Sequence, residues 1–268
     1  DFFFLGVTHL GDAAFIIAAA AALWWTWDKR AAARLLSIFL LSCALTYFLK
    51  NAFSLPRPDP GIVRSFGLSV AVNESFPSGH ALGSTLIWGF IALRIRRPWM
   101  NGLAATLILL IGFSRIYLVV HFMRDVLAGT VMGAAFLAAA LWSQEAASKS
   151  LSRARLPAVF PWISAFSIPY LLARLLSDPR VSQTMGLLAG IWLGILAERQ
   201  WVSFDPARAR FSRPLRIALG IAAGSVLAAG TFALAPTQAV FFLSHILLGL
   251  FIAFFYPWLL TVNTSHSA

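Results

Sequence analysis

Long apolar runs follow one another along almost the whole chain, separated by short polar or basic stretches. The run at 4–27 is long enough to cross the hydrocarbon core of a bilayer, which takes about 20 largely apolar residues. Inside a bilayer the backbone must satisfy its own hydrogen bonds, so runs of this length fold as helices. The pattern therefore predicts an all-α fold, a polytopic membrane helix bundle.

Nine runs qualify as candidate spans when flanking residues can extend the short ones. The predicted spans are 4–27, 32–48, 79–93, 100–120, 126–142, 158–175, 184–197, 217–234 and 239–260. The polar stretch 51–77 contains three prolines within 56–60 and is predicted as a structured loop, because proline blocks a helix interior. A tight turn near Pro236 and a basic surface connector over 198–216 are also predicted.

Composition agrees with a bilayer as the solvent. Hydrophobic residues make up 59% of the chain and charged residues 12%, whereas a soluble domain is about 25% charged. The net charge of +11 would suggest a nucleic-acid partner in a soluble protein. Here the basic residues form short clusters between apolar runs, which favours contact with anionic lipid headgroups. We therefore expect membrane lipid, and no nucleic acid, as a partner.

The distribution of basic residues predicts an orientation. Most of the 21 lysines and arginines lie in the loops that follow the first, third, fifth and seventh predicted spans. Cytoplasmic loops carry the excess of such residues, so the N-terminus is expected outside and the C-terminus in the cytoplasm. A bacterial inner membrane or an equivalent membrane fits this layout. The opposite, extracytoplasmic face then receives three clusters of polar residues.

These clusters are informative because ionisable residues near bilayer depth are costly and usually functional. The first contains Lys50 and Arg57, the second Ser78, Gly79 and His80, and the third Arg115, His121 and Asp125. Taken singly, each has an ordinary structural interpretation, such as a helix cap, a satisfied polar pair or a snorkelling lysine. Together, on one face of the membrane, they suit a dianionic ligand.

The cations and the turn predict a phosphate site. Lys50, Arg57 and Arg115 can neutralise the equatorial oxygens of a phosphoryl group, and arginine does so through forked contacts. The backbone N–H groups at Ser78 and Gly79 open a helix, where anions bind readily, and glycine allows a close approach of the backbone. We therefore assign these five residues to phosphate binding.

The histidines predict nucleophilic catalysis. His121 and Asp125 are four residues apart and are expected to share a face on one helical turn. The carboxylate can fix one imidazole nitrogen so that the other attacks phosphorus. His80, from a different span, is expected to protonate the leaving oxygen and later to activate water. The predicted catalytic residues are therefore His121, His80 and Asp125.

The order and spacing of these residues resemble a known signature. Lys50-x6-Arg57-Pro58, Pro77-Ser78-Gly79-His80 and Ser114-Arg115-x5-His121-x3-Asp125 match the three motifs of the type 2 phosphatidic acid phosphatase superfamily without a substitution. The resemblance implies a membrane enzyme that needs no metal or other cofactor and forms a phosphohistidine. It also implies a six-span catalytic core over 1–176, followed by a three-span extension over 177–268. The nine-span layout is similar to the branch that contains glucose-6-phosphatase and the sphingosine-phosphate phosphatases.

The leading prediction is hydrolysis of a phosphorylated lipid, a phosphate or diphosphate, at the extracytoplasmic face. Polyprenyl diphosphate, phosphatidate-type lipids and sphingoid phosphates are candidate substrates. Three alternatives stay open: hydrolysis of a water-soluble ester such as a sugar phosphate, a lipid phosphotransferase and a lipid transporter. The oligomeric state is also open. Outside the three clusters, His245 is interpreted as a core residue, and His9 and Asp12 as anchors of a helix end.

Overall fold

The computed structural model describes residues 2–59, 74–150, 157–233 and 237–261, of which 143–150 and 232–233 are described by backbone alone. It is 83% helical, and these ranges contain no strand. The all-α prediction is therefore confirmed. The helices are α1 (Phe2–His9), α2 (Ala13–Thr26), α3 (Lys29–Phe53), α4 (Gly79–Ile95), α5 (Pro98–Tyr117), α6 (Met123–Ser150), α7 (Phe160–Leu176), α8 (Pro179–Ala197), α9 (Arg213–Ala233), α10 (Gln238–Leu250) and α11 (Tyr256–Thr261). Single π-helical turns follow α8 and α10, at Glu198–Val202 and Phe251–Phe255.

Within the described ranges, six stretches are long and apolar enough to cross a membrane, and a seventh is added if the bent pair α1 and α2 counts as one span. Each of the nine predicted spans falls on a helix or a helix pair, but α4 and α7 have only 17 residues. The described helices therefore support a polytopic membrane protein, while the count of nine is not confirmed. Residues 60–73 of the predicted loop, and the predicted turn at Pro236, lie outside the described residues.

The first predicted span, 4–27, is broken. The chain turns at Leu10–Asp12, and α1 and α2 meet at an angle of 48°. Gly11 permits the close packing of this turn, because a Cβ there would lie 2.8 Å from Ile111 Cγ2 and 3.2 Å from the carbonyl oxygen of His80. The apolar pattern cannot reveal this turn, since it depends on how closely the backbone approaches two other helices.

The seventh span is longer than predicted, and the connector after it is partly buried. Helix α8 begins at Pro179 behind Asp178, whose carboxylate accepts from the N–H of Arg180 at 2.7 Å. Proline suits this first helical position because its missing N–H has no partner there. Glu198, expected on the surface, is 1% exposed and accepts from Lys29 Nζ at 2.7 Å. A paired partner is what permits such a charge to be buried.

The chain divides into two compact units. One unit comprises Asp1–Ile17 and Leu45–Arg153, where α4 packs against both α5 and α6 and α1 packs against α5. The other comprises Ala18–Ala44 and Ala154–Ala268, where α8 packs against α7 and α10. All of the predicted site residues lie in the first unit.

Candidate active site

The starts of helices α4 and α6 are joined directly. The N–H of Ser78 donates to the carbonyl oxygen of Asp125 at 3.0 Å, and Ser78 Oγ caps α4 by accepting from the N–H of Ala81. One turn further along α6, a Cβ on Gly129 would lie 2.4 Å from the carbonyl oxygen of Ser78. The two helices can therefore approach only because residue 129 has no side chain. This contact brings the second and third motifs together.

The third motif contains a sharp reversal between α5 and α6. Arg115 lies in the last turn of α5, and its carbonyl oxygen accepts from the N–H groups of Val120 and His121 at 3.1 and 3.2 Å. Val119 takes a positive φ of 56°, which turns the chain back. His121 therefore lies in the link before α6, and the prediction that His121 and Asp125 share a helical turn is wrong.

The two residues nevertheless meet. His121 Nδ1 lies 3.5 Å from Asp125 Oδ2, and the side chain of Asp125 is fully buried in the first turn of α6. The same oxygen accepts from the N–H of Phe122 at 2.9 Å. A helix N-terminus stabilises a carboxylate. The tertiary fold thus places an ionised carboxylate against one nitrogen of His121. The sequence predicts the same contact, but through a shared helical turn instead of a reversal of the chain.

Ser75 is a site residue that the sequence argument missed. Its hydroxyl donates to Asp125 Oδ2 and lies 3.4 Å from His121 Nδ1, and the residue is completely buried. Ser75 precedes the second motif by two residues, and a lone serine in a polar loop carries no recognisable signal. Only the folded loop reveals that it bridges the acid and the imidazole.

The other nitrogen of His121 faces a cation. Arg57 Nη1 lies 3.3 Å from His121 Nε2 and donates to the carbonyl oxygen of Val120 at 2.7 Å. The pKa of His121 is lowered to about 3, chiefly by burial; the nearby Arg57, Arg115 and Lys50 act in the same direction and Asp125 opposes them. His121 is therefore a neutral imidazole at neutral pH, which is the form that can act as a nucleophile.

The other two predicted cations are also buried and held by oxygen atoms. Lys50, in the last turn of α3, donates from Nζ to the carbonyl oxygens of Glu74 and Ser75 at 2.5 and 3.2 Å. Arg115 is 7% exposed and donates from Nη1 to Thr8 Oγ1 at 2.6 Å. These carbonyl and hydroxyl oxygens hold the two cationic side chains in position. The arrangement suits an anionic ligand.

His80 has an acidic partner that the sequence argument assigned elsewhere. His80 Nε2 lies 2.5 Å from Asp12 Oδ1, and the other oxygen of Asp12 lies 2.6 Å from His9 Nδ1. Asp12 does lie just before α2, where its carbonyl oxygen accepts from the N–H of Ile16. Its side chain, however, is turned to the second motif. The interpretation of Asp12 as a helix anchor alone is therefore incomplete.

Gly79 and His245 are two further residues that the sequence analysis singled out. Gly79 starts α4, and a Cβ built on it meets nothing within 4 Å. His245 is buried in α10, and its Nδ1 donates to the carbonyl oxygen of Phe241 at 2.8 Å, which agrees with a core role. Arg57 and Arg115 lie within electrostatic range of both His80 and His121, so the three motifs share one charged environment.

Two family models match the chain. The PAP2 superfamily model covers residues 31–149, which include all three motifs, and a second model, described as a PAP2 superfamily phosphatase transmembrane extension, covers residues 182–264. No solved structure matches.

Curated relatives match over parts of the same region. Phosphatidylglycerophosphatase B of Bacillus subtilis is 31% identical over 48% of this chain and 67% of its own length. The putative undecaprenyl-diphosphatase YbjG of Escherichia coli is 29% identical over 44% of this chain and 61% of its own length. Glucose-6-phosphatase 3 of Mus musculus is 35% identical over 27% of this chain and 25% of its own length. The chain thus spans about two thirds of the first relative and less of the others.

Proposed function

The chain belongs to the PAP2 superfamily, and on that premise we propose that it hydrolyses a lipid phosphate or diphosphate through a phosphohistidine on His121, without a metal ion. The observation that carries the proposal is the environment of His121. One imidazole nitrogen faces the Asp125 carboxylate and Ser75, and the other faces Arg57. A neutral histidine fixed in this way has an electron pair on the nitrogen that points to a cation able to hold phosphate.

In the first step His121 Nε2 attacks the phosphorus atom of the ester. A nitrogen–phosphorus bond forms while the bond from phosphorus to the leaving oxygen breaks. Protonated His80 gives its proton to that oxygen, so that the lipid departs as an alcohol, or as a monophosphate if the substrate is a diphosphate. Asp125 stays ionised and stabilises the positive charge that develops on His121.

In the second step water attacks the phosphohistidine. His80, now neutral, takes a proton from the water, an oxygen–phosphorus bond forms and the nitrogen–phosphorus bond breaks. Inorganic phosphate leaves, His121 is neutral again and His80 is protonated again. The equatorial oxygens carry negative charge in both transition states, and Lys50, Arg57 and Arg115 are placed to neutralise it. The N–H groups at Ser78 and Gly79 add donors.

A lipid substrate is supported by the chain's surroundings and by its relatives. The membrane supplies lipid at high local concentration to a site on a polytopic protein. Two matched relatives are named for phosphatidylglycerophosphate and undecaprenyl diphosphate. A second candidate, a sugar phosphate, is favoured by the 35% identity to glucose-6-phosphatase 3. Transfer of the phosphoryl group to another alcohol would follow the same first step.

We propose the nine-span, N-outside topology as well, with a catalytic core over 1–176 and an extension over 177–268. Tryptophan is enriched at membrane interfaces, and exposed tryptophans lie at helix ends that this topology assigns to the cytoplasmic side. They include Trp27, Trp99 and Trp201. Single cysteines placed in each loop of a Cys43→Ala variant test this assignment. Labelling of the 94–98 loop from outside the cell would contradict it.

In the decisive experiment, purified protein in detergent with a chelator is assayed with four substrates: prenyl diphosphate, phosphatidate, sphingosine phosphate and glucose 6-phosphate. We expect phosphate release from at least one lipid, none after His121→Ala, and normal release after His245→Ala, a histidine outside the site. Rapid acid-free quenching with labelled substrate is expected to trap phosphohistidine in the wild type. Absence of release from every substrate, or a strict requirement for a divalent metal, would overturn the proposal.

A further inference from the structure

Each of the two catalytic histidines has a carboxylate of its own. For His121 the partner is Asp125, which belongs to the same motif. For His80 it is Asp12, which belongs to none of the three motifs and comes from the turn between α1 and α2. The His80 Nε2 to Asp12 Oδ1 distance of 2.5 Å is that of a direct, charge-assisted hydrogen bond.

The turn that carries Asp12 is fixed from both sides. Gly11 lets its backbone approach the carbonyl oxygen of His80, and Thr8 accepts from the guanidinium of Arg115. His9 Nδ1 holds the second oxygen of Asp12 at 2.6 Å, and the His9 side chain is 64% exposed. The carboxylate is therefore held in place before any ligand binds, and it does not depend on a flexible side chain finding its partner.

The charges around His80 indicate what the Asp12 carboxylate does. Arg115 and Arg57 are positive neighbours of His80, and like charges oppose a positive charge on its imidazole. The Asp12 carboxylate acts in the opposite direction. A general acid has to carry its proton when the substrate arrives. Among the groups that act on His80 (Asp12, Arg57 and Arg115), the carboxylate is the one that favours the protonated form.

We propose that Asp12 is the positioning residue of His80, an inference that rests on the proposed phosphatase activity. Asp12 keeps a proton on His80 Nε2 throughout the reaction, so that Nδ1 is the nitrogen that gives a proton to the leaving oxygen and later takes one from water. Asp12 stays ionised in both steps and forms no bond to phosphorus. His9 is a second anchor of the carboxylate and exchanges no proton with the substrate.

Two esters with the same alkyl tail separate this role from a structural one. In one ester the phosphate is attached to an alkyl hydroxyl, which needs a proton to leave, and in the other to a nitrophenol, which does not. We expect Asp12→Asn to lower kcat/KM about 10- to 100-fold on the alkyl ester and less than about threefold on the nitrophenyl ester. The alkaline limb of kcat/KM on the alkyl ester should move to lower pH, because the protonated imidazole has lost its anion.

Matched variants complete the test. Asp12→Glu keeps the carboxylate and should recover part of the loss on the alkyl ester. Asp205→Asn removes a half-exposed carboxylate outside the site and should change neither rate. Equal losses on both esters, or a gain on both, would overturn the inference. If Asp12→Asn does not fold, Asp12→Ala, which also removes the carboxylate, takes its place, and an unchanged ratio of the two rates in that variant contradicts the inference equally.

The experiment also distinguishes this inference from its premise. If the wild-type protein hydrolyses neither ester and releases no phosphate from the lipid panel, the proposed function itself has failed. If the wild type is active and Asp12→Asn has the same preference between the two esters as the wild type, the phosphatase stands and only the role of Asp12 is lost.

Discussion

Arg57 Nη1 lies 3.3 Å from His121 Nε2, the nitrogen on the side away from Asp125. The same Nη1 donates to the carbonyl oxygen of Val120, one residue before the histidine. A guanidinium in this place keeps Nε2 as an acceptor and disfavours a proton on it. It also marks where an incoming phosphoryl group would find positive charge beside the nucleophile. The proposed phosphate-binding residue and the proposed nucleophile are thus in direct contact before substrate arrives.

Replacing this guanidinium tests whether its shape matters as well as its charge. Arg57→Lys keeps the charge but cannot hold Val120 and a phosphate oxygen through one planar fork. We expect kcat to fall about 100-fold, the size found when one donor to a developing anion is removed. Arg208→Lys is the matched control, because Arg208 is exposed and pairs with Asp205 outside the site. Equal activity of the two variants would contradict the role of Arg57.

Ser75 should matter for rate more than for binding. Ser75→Ala removes the hydroxyl donor to Asp125 Oδ2 and the contact with His121 Nδ1. We expect kcat to fall about 10-fold with little change in KM, and stability to fall by about 1 kcal/mol for the lost hydrogen bond. Steady-state kinetics and thermal unfolding measure both. Ser164→Ala, which alters an exposed serine, is the control, and a large rise in KM alone would count against a role in orienting the acid.

Gly129 should be needed for the fold of the site. A methyl group at residue 129 would overlap the carbonyl oxygen of Ser78, which lies on a helix start with little freedom to move. We expect Gly129→Ala to cost about 1–3 kcal/mol by overpacking and to displace His80, with loss of activity. Gly102→Ala should be harmless, because nothing lies within 4 Å of the added carbon. Thermal unfolding in detergent, followed by the phosphatase assay, gives both readings.

Gly79→Ala should affect substrate binding and leave the fold intact, in contrast to Gly129→Ala. An added Cβ meets nothing within 4 Å, so Gly79→Ala should unfold at the same temperature as the wild type. If the backbone at this residue binds phosphate as proposed, the methyl group will obstruct the ligand and KM will rise by about 10-fold, a loss of roughly 1.4 kcal/mol. An unchanged KM would remove Gly79 from the binding site and leave the rest of the proposal standing.

The lowered pKa of His121 has a consequence for stability. Unfolded His121 takes up a proton as the pH falls through about 6.5, whereas burial keeps folded His121 neutral down to about 3. The unfolded state therefore binds more protons in this window, and folding stability falls as the pH falls. We expect His121→Asn to lose less stability than the wild type between about pH 7 and pH 4. Nitrogen NMR of labelled histidines should show His121 neutral at about pH 5.

Many of the candidate site residues could be predicted from the sequence, because their residue types and spacing are distinctive. His121, Asp125, His80 and the cations are rare in apolar surroundings, so each is conspicuous, and the superfamily prediction is confirmed. Ser75 and the role of Asp12 were not predictable in this way. A serine in a polar loop is ordinary, and Asp12 lies 68 positions from its partner. No periodic pattern connects residues that meet only through a turn.

By itself the sequence determined the membrane as solvent, the helical fold class and the superfamily, because apolar length and the cost of buried charge depend on residues taken locally. The tertiary structure alone decided that His121 reaches Asp125 across a reversed chain, that Arg57 covers Nε2, and that a break at Gly11 brings Asp12 to His80. These contacts depend on how closely helices can approach, and that closeness is set by the absence of a side chain at Gly11 and Gly129.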